Sequence, residues 1–164
     1  MYRLAILTIS DKGHAGERED RSGREIASIA SEHSYAIAYS AVLPDEQALI
    51  AAELCRIADE NLADLILTTG GTGFSARDRT PEATIEAAER LCPGIPEAMR
   101  AYSMQKTRRA MLSRSAAAIR KSSLIINLPG SPKAVRECLE CILDQLPHAL
   151  DILTGKAGEC ASGG

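Results

Sequence analysis

An acid between two bases, Arg77-Asp78-Arg79, follows three closely set glycines, Gly70, Gly71 and Gly73. Without a Cβ, such a backbone can take positive φ angles and lie close to a ligand. Successive amides can then point into one concavity and hold an anion such as phosphate. Thr80 and Pro81 are expected to start a helix, with the hydroxyl as N-cap and proline at the first helical position. The positive end of that helix would add to the anion site. Asp45, in Leu43-Pro44-Asp45-Glu46, is placed to cap a helix. It also falls at a strand's C-terminal end, on the rim that carries the glycine loop. Asp45 and Asp78 together could share a magnesium ion bound to a polyphosphate.

Other motifs are weaker or excluded. No Gly-Lys-Ser/Thr ending is present, so the glycines are not a P-loop. Gly71-x-Gly73-x-x-Ala76 fits a loose dinucleotide fingerprint, but that fingerprint needs its helix to open inside the glycines, and here it opens only at Pro81. Cys138-x-x-Cys141 resembles a redox or metal pair, yet it falls in an amphipathic helix with no second pair or histidine. The five cysteines are odd in number and read as structural, which points to a reducing compartment, the cytoplasm. Lys106-Thr107-Arg108-Arg109 reads as solvated surface, or else as a neutraliser of phosphate charge.

The elements that must position these residues follow from periodicity. Leu4–Ile9 is an unbroken apolar run, the mark of a strand covered on both faces, and it stops at Ser10-Asp11 before the flexible stretch Lys12–Gly16. Ser22 and Glu25 have capping-box spacing, and Ile26, Ile29 and Ala30 supply a buried helix face. Tyr35–Leu43 reads as a second strand, and a helix with Ile50, Leu54 and Ile57 follows to about Asn61. Leu65–Leu67 is the third strand, ending at the glycines. Helices are expected over Pro81–Arg90, with Ile85 and Ala88 on one face, and over Ile95–Gln105. A short strand within 113–120 turns at Lys121-Ser122 into Ser123–Leu128. That strand ends at Asn127-Leu128-Pro129-Gly130-Ser131-Pro132-Lys133, where Ser131 caps the next helix and Pro132 takes its first position. Val135, Cys138, Leu139, Ile142 and Leu146 give its apolar face, and a last helix spans 147–153. Repeated β-then-α order favours an α/β layer fold with a mainly parallel sheet and a short antiparallel hairpin.

The totals agree. The chain has 164 residues, 45% hydrophobic and 25% charged, with a net charge of -3. That suits one domain over 1–155, with a small polar tail, 156–164, expected to be disordered. Interspersed charges argue against a nucleic-acid partner. No apolar run approaches the roughly 20 residues of a membrane span, and the start meets charge too early for a signal peptide.

The stretches TTGGTGFSARDRTPEAT (68–84) and INLPGSPKAV (126–135) resemble the MogA/MoaB group of molybdenum-cofactor biosynthesis proteins, above all its molybdopterin adenylyltransferases. ISD (9–11), DRSG (20–23), LPDE (43–46) and MLSRSAAAIR (111–120) are similar to that group too, and the likeness spans about residues 3–155. It implies a three-layer molybdopterin-binding-like fold, commonly a homotrimer. It also implies adenylyl transfer from ATP to molybdopterin with Mg2+ and release of pyrophosphate, and hand-over of the product to a molybdate-insertion protein. By resemblance, the functional carboxylates and metal ligands are Asp45 and Asp78. Thr69, Gly70, Gly71, Thr72 and Gly73 hold the pterin's terminal phosphate, and Ser113 is carried over as a site residue. Asp11, Asn127, Pro129, Gly130 and Ser131 match positions lining the pocket. Ser10, at its strand end, is a further ligand candidate, and Lys133, Arg77 or Arg79 would counter developing charge. The segment Thr107–Ala110 departs from the group's pattern of apolar residues or proline.

Three other readings stay open at this level. A non-catalytic pterin-binding module would need neither carboxylate. The related domain of molybdate-insertion proteins is normally part of a longer chain with linkers. A general nucleotide-binding domain would be expected to carry a P-loop or a better-placed dinucleotide fingerprint.

Overall fold

The computed structural model describes residues 1–33 and 35–156. In chain order the elements are β1 (Tyr2–Ile9), α1 (Asp11–His14), α2 (Arg21–Glu32), β2 (Tyr35–Leu43), α3 (Gln47–Asp59), β3 (Leu65–Thr69), α4 (Thr80–Ala87) and β4 (Arg90–Leu91). There follow α5 (Gly94–Met104), a 3-10 turn (Arg108–Leu112), β5 (Ala117–Arg120), β6 (Ser123–Leu128), α6 (Pro132–Ile142) and α7 (Leu146–Leu153).

The apolar run of β1 sits inside the sheet because both its faces are covered. Strand order is β2-β1-β3-β6-β5-β4. The β1–β2, β1–β3 and β3–β6 pairs are parallel, while β5–β6 and β4–β5 are antiparallel. The fold is therefore α/β with a mainly parallel sheet and a short antiparallel hairpin. Lys121, with φ 51°, makes the hairpin turn.

Alternation along β1 divides the core in two. Leu4 and Ile6 face Ile26 and Ile29 of α2 and Val135, Leu139 and Ile142 of α6. Ala5, Leu7 and Ile9 face Ile50, Leu54 and Ile57 of α3 and Ala83 and Ala87 of α4. Helices thus cover both faces, in three layers. Ser131 caps α6 as its spacing predicts, accepting from the Ala134 amide at 3.2 Å. Cys138 lies in the core beneath α6, and burial pushes its thiol pKa up, which fits a packing role. Among the described residues no helix is long and apolar enough to cross a membrane.

Several local expectations fail for identifiable reasons. The cap of α2 is Asp20, not Ser22: its carboxylate accepts from the Gly23 amide at 2.8 Å, and Ser22 is buried in the first turn. Thr80 does not cap α4, because its hydroxyl donates to Gly70 O at 3.0 Å. Asp45 does not cap α3 either, since Glu46 holds that position without a side-chain bond. The helix expected over 81–90 stops at Ala87, where Ala88 turns extended. Arg90 and Leu91 then pair with Ile119 and Ala118 as the strand β4. The buried face of α4 is Ala83, Thr84 and Ala87, whereas Ile85 is 52% exposed. Of the expected tail, residues 157–164 lie outside the described residues.

Candidate active site

The site is assembled where β1, β3 and β6 end together. After Thr69 the backbone turns through Gly70 (φ 94°) and Gly71 (φ 66°). A Cβ on Gly70 would stand 2.3 Å from Ile9 O, and one on Gly71 would stand 2.2 Å from Thr80 Oγ1. Only glycine lets the turn press against the end of β1 on one side and the start of α4 on the other. The Thr69 hydroxyl donates to Pro129 O at 2.8 Å, which ties this turn to the one after β6.

Two clefts share this loop. The larger, about 770 Å³, is lined by Ser10, Asp45, Thr69, Gly70, Gly71, Asp78, Gly130 and Ser131, with Arg18 and Asp20 from the segment before α2 and Arg21 at its first position. The smaller, about 310 Å³, is lined by Thr72, Gly73, Ser113 and Pro129, together with Pro96, Met99, Arg100 and Ser115. The glycine stretch contributes its first half to one cleft and its second half to the other.

The two carboxylates proposed for chemistry both line the larger cleft. Asp45 is clasped to Asp11. The Asp11 amide donates to Asp45 Oδ2 at 2.9 Å, and the Asp45 amide donates to Asp11 Oδ1 at 3.0 Å. Arg77 completes the clasp with two bonds to Asp11, at 2.8 and 3.0 Å, and one to Glu46 at 2.8 Å. These bonds from Arg77, with the Asp45 amide, hold the Asp11 carboxyl below the usual range. Burial, with the like charges of Asp11 and Asp78, pushes the Asp45 carboxyl up, against the opposing Asp11 amide and Arg77. Asp78 Oδ2 accepts from the Ser75 amide at 2.8 Å.

This donor set fits a hard divalent cation. Both carboxylates are oxygen donors, and the charge that Asp78 and Asp11 impose on Asp45 is one a cation would relieve. A Cβ on Gly73 would stand 2.9 Å from Asp78 Oδ2, and one on Gly71 would stand 3.3 Å from Asp45 Oδ1, so each carboxylate lies against bare glycine backbone. Among the described residues no group of three or more His, Cys, Asp or Glu side chains is placed to hold a metal ion.

Not every expected residue reaches the clefts. Asn127 is fully buried. Its amide nitrogen donates to Thr68 Oγ1 at 3.0 Å and Thr84 Oγ1 at 2.8 Å, and its oxygen accepts from the Ala116 amide at 3.1 Å. It braces the sheet against α4 and lines neither cleft. Asp11, the other member of the clasp, lines neither cleft. Lys133 is exposed on the first turn of α6 and lines neither. Sequence reasoning misses Arg114, Arg100 and the acid of DRSG, Asp20. Asp20 and Arg114 stand inside recognisable motifs, which is the available signal, whereas nothing local marks Arg100.

Fold and site together define an α/β binding domain with a glycine-rich turn and a carboxylate pair at its strand ends. The chain belongs to the family described as "Probable molybdopterin binding domain", whose model matches residues 5–148. It is 42% identical over 154 residues to the molybdopterin adenylyltransferase of Helicobacter pylori, covering 93% of this chain and 88% of that protein. Against the Escherichia coli molybdopterin adenylyltransferase it is 37% identical over 174 residues, covering 97% and 89%. Among solved structures it is similar to the molybdopterin biosynthesis enzyme MoaB of Thermus thermophilus, with a TM-score of 0.89 and 48% identity over 94% of this chain and 98% of that one.

Proposed function

We propose that this chain is a molybdopterin adenylyltransferase of molybdenum cofactor biosynthesis, moving AMP from ATP to the molybdopterin phosphate with release of pyrophosphate. The observation that carries the site assignment is the convergence of Asp45, Asp78 and the Gly70–Gly71 turn on one cleft, with a second cleft across the same loop. Relatives of matching length that bear this activity's name support the reaction.

The attacking group, a phosphate, is already an anion and needs no strong base. Positioning and charge neutralisation then carry the reaction. In this reading the glycine amides hold the pterin's phosphate, with Thr72, Gly73 and Ser113 on the pterin side. The nucleotide takes the larger cleft beside Ser10, Gly130 and Ser131. Asp45 and Asp78 would hold Mg2+, which supplies neutralisation of the triphosphate charge when bound.

The same reading makes residues 1–155 one domain, assembled as a homotrimer in the cytoplasm, whose product passes to a molybdate-insertion protein. The resemblance supports the trimer and the hand-over. Both halves of the core draw on elements from across the chain, which supports the single domain.

The decisive measurement is pyrophosphate release from ATP with purified protein, molybdopterin and Mg2+. Wild type should release it only when pterin is present. Asp78→Asn and Asp45→Asn should abolish release while keeping pterin binding. Pterin binding without release by wild type would leave a carrier module in place of an enzyme.

A further inference from the structure

Asp78 closes a loop that packing does not define. Phe74, Ser75, Ala76 and Arg77 are all exposed, Phe74 by 72%. Arg77 reaches out of the loop to Asp11 and Glu46, and the loop's two ends are held by one residue between the 3-10 turn and β5. The Arg114 amide donates to Thr72 O at 3.0 Å. Its Nε donates to Gly73 O at 2.7 Å, and its Nη2 donates to Asp78 O at 2.6 Å. Its Nη1 is bonded to Glu82 Oε1 in the first turn of α4. One guanidinium therefore joins both ends of the loop and fixes them to a helix.

The geometry points to Arg114 as the residue that positions Asp78 and the Gly73 backbone for the transfer reaction, with Glu82 as its anchor. This rests on the adenylyl-transfer reading of the site. Arg114 has no part in the chemistry itself, because its donors are taken up by loop carbonyls and by Glu82. Glu82 anchors it as a carboxylate. Burial opposes that charge, but the bond from Arg114, Glu82's own backbone amide and the charges of Arg114 and Arg79 together outweigh it and hold the carboxyl below the usual range. The two half-buried partners face each other, with side chains 33% and 31% exposed, so water screens the pair less than it would at the open surface.

The arrangement is specific to arginine. Its planar fork presents donors in fixed directions that suit separate acceptors at once, whereas lysine offers a point charge on a flexible stem. Arg114→Lys keeps the charge beside Glu82 and loses the bridge between Gly73 O and Asp78 O. A role in charge alone predicts that lysine substitutes well, and a positioning role predicts that it does not.

The test compares wild type, Arg114→Lys and Glu82→Gln by two readouts. The first is amide hydrogen exchange, resolved over residues 72–79 and over β3. The second is pyrophosphate release as a function of Mg2+ concentration. Arg114→Lys should speed exchange in 72–79 by about tenfold or more while β3 keeps its protection. It should lower kcat by about tenfold to a hundredfold and raise the Mg2+ concentration needed for half-maximal rate. Glu82→Gln, which keeps the arginine and loosens its anchor, should shift both readouts in the same direction by less, and it decides the matter if Arg114→Lys does not fold. Wild-type exchange in the loop of Arg114→Lys would overturn the inference. So would a loosened loop with unchanged kcat and Mg2+ dependence. Wild type that releases no pyrophosphate sinks the adenylyl-transfer reading and with it the catalytic purpose assigned to Arg114.

Discussion

Asp45 and Asp11 each accept a hydrogen bond from the other's amide, so two loop starts are stitched by side chains imitating backbone. For Asp45, burial beside the like charges of Asp11 and Asp78 carries a cost in charge. Its raised carboxyl pKa means that the folded state disfavours the ionised form, so ionisation at neutral pH works against folding. Asp45→Asn removes that charge and retains an oxygen for the Asp11 amide. We expect its melting temperature to equal or exceed that of wild type while pyrophosphate release is lost, a stability–activity trade-off read by thermal unfolding alongside the assay. Asn127 behaves in the opposite way. Its three hydrogen bonds are buried, and removing them leaves Thr68, Thr84 and the Ala116 amide short of partners. Asn127→Ala should therefore lower unfolding free energy by about 2–4 kcal/mol in denaturant titrations, with activity falling only as far as folded protein is lost.

At the scale of elements, the glycine turn is where backbone geometry is most constrained. Gly70→Ala places a Cβ 2.3 Å from Ile9 O at a φ of 94°, and should destabilise by about 3 kcal/mol from backbone strain together with the clash. Gly94 at the start of α5 has nothing within 4 Å of an added Cβ. Gly94→Ala should be neutral or slightly stabilising, and chemical denaturation of the two variants side by side checks both. This contrast also shows what a sequence can disclose. Clustered glycines, the Asp45 and Asp78 carboxylates and the Ser131-Pro132 helix start announce themselves locally, and the structure brings the first two together. The end of α4 does not, because β4 exists only through pairing with Ala118 and Ile119. Choosing Ser22 over Asp20 as a cap fails because both side chains suit the role and only the path of the chain decides. Thr80 looks like a cap but serves Gly70 O. Asn127 looks like a pocket residue because its motif adjoins the pocket, while its side chain turns inward.

For the molecule as a whole, the two ends of the described chain are fastened to each other. The Tyr2 hydroxyl donates to Asp151 Oδ1 at 2.5 Å and lies 3.0 Å from Pro147 O, and Lys156 stands 5.1 Å from the centre of the Tyr2 ring. The bond to Asp151, with burial, pushes the Tyr2 pKa up to about 12. Burial alone pushes Tyr35 to about 12. A folded pKa above the unfolded value of about 10 means that the folded state holds its protons longer. The stabilisation is complete below pH about 10 and is lost as pH rises towards about 12. Melting temperatures measured across that window should fall, and Tyr2→Phe should flatten the fall while lowering stability at neutral pH. The Tyr35 hydroxyl is buried with no partner among the described residues, so Tyr35→Phe should flatten the fall at no cost at neutral pH.

The glycine loop stands between two clefts, with Gly70 and Gly71 on one and Thr72 and Gly73 on the other. A single molecule with one arm for each cleft would straddle that loop. Once its first arm is seated, the second meets its site at an effective concentration in the millimolar range for a short flexible tether. Such a tethered compound would gain its affinity from the spacing between the clefts, and the length at which its inhibition is strongest would measure that spacing in solution.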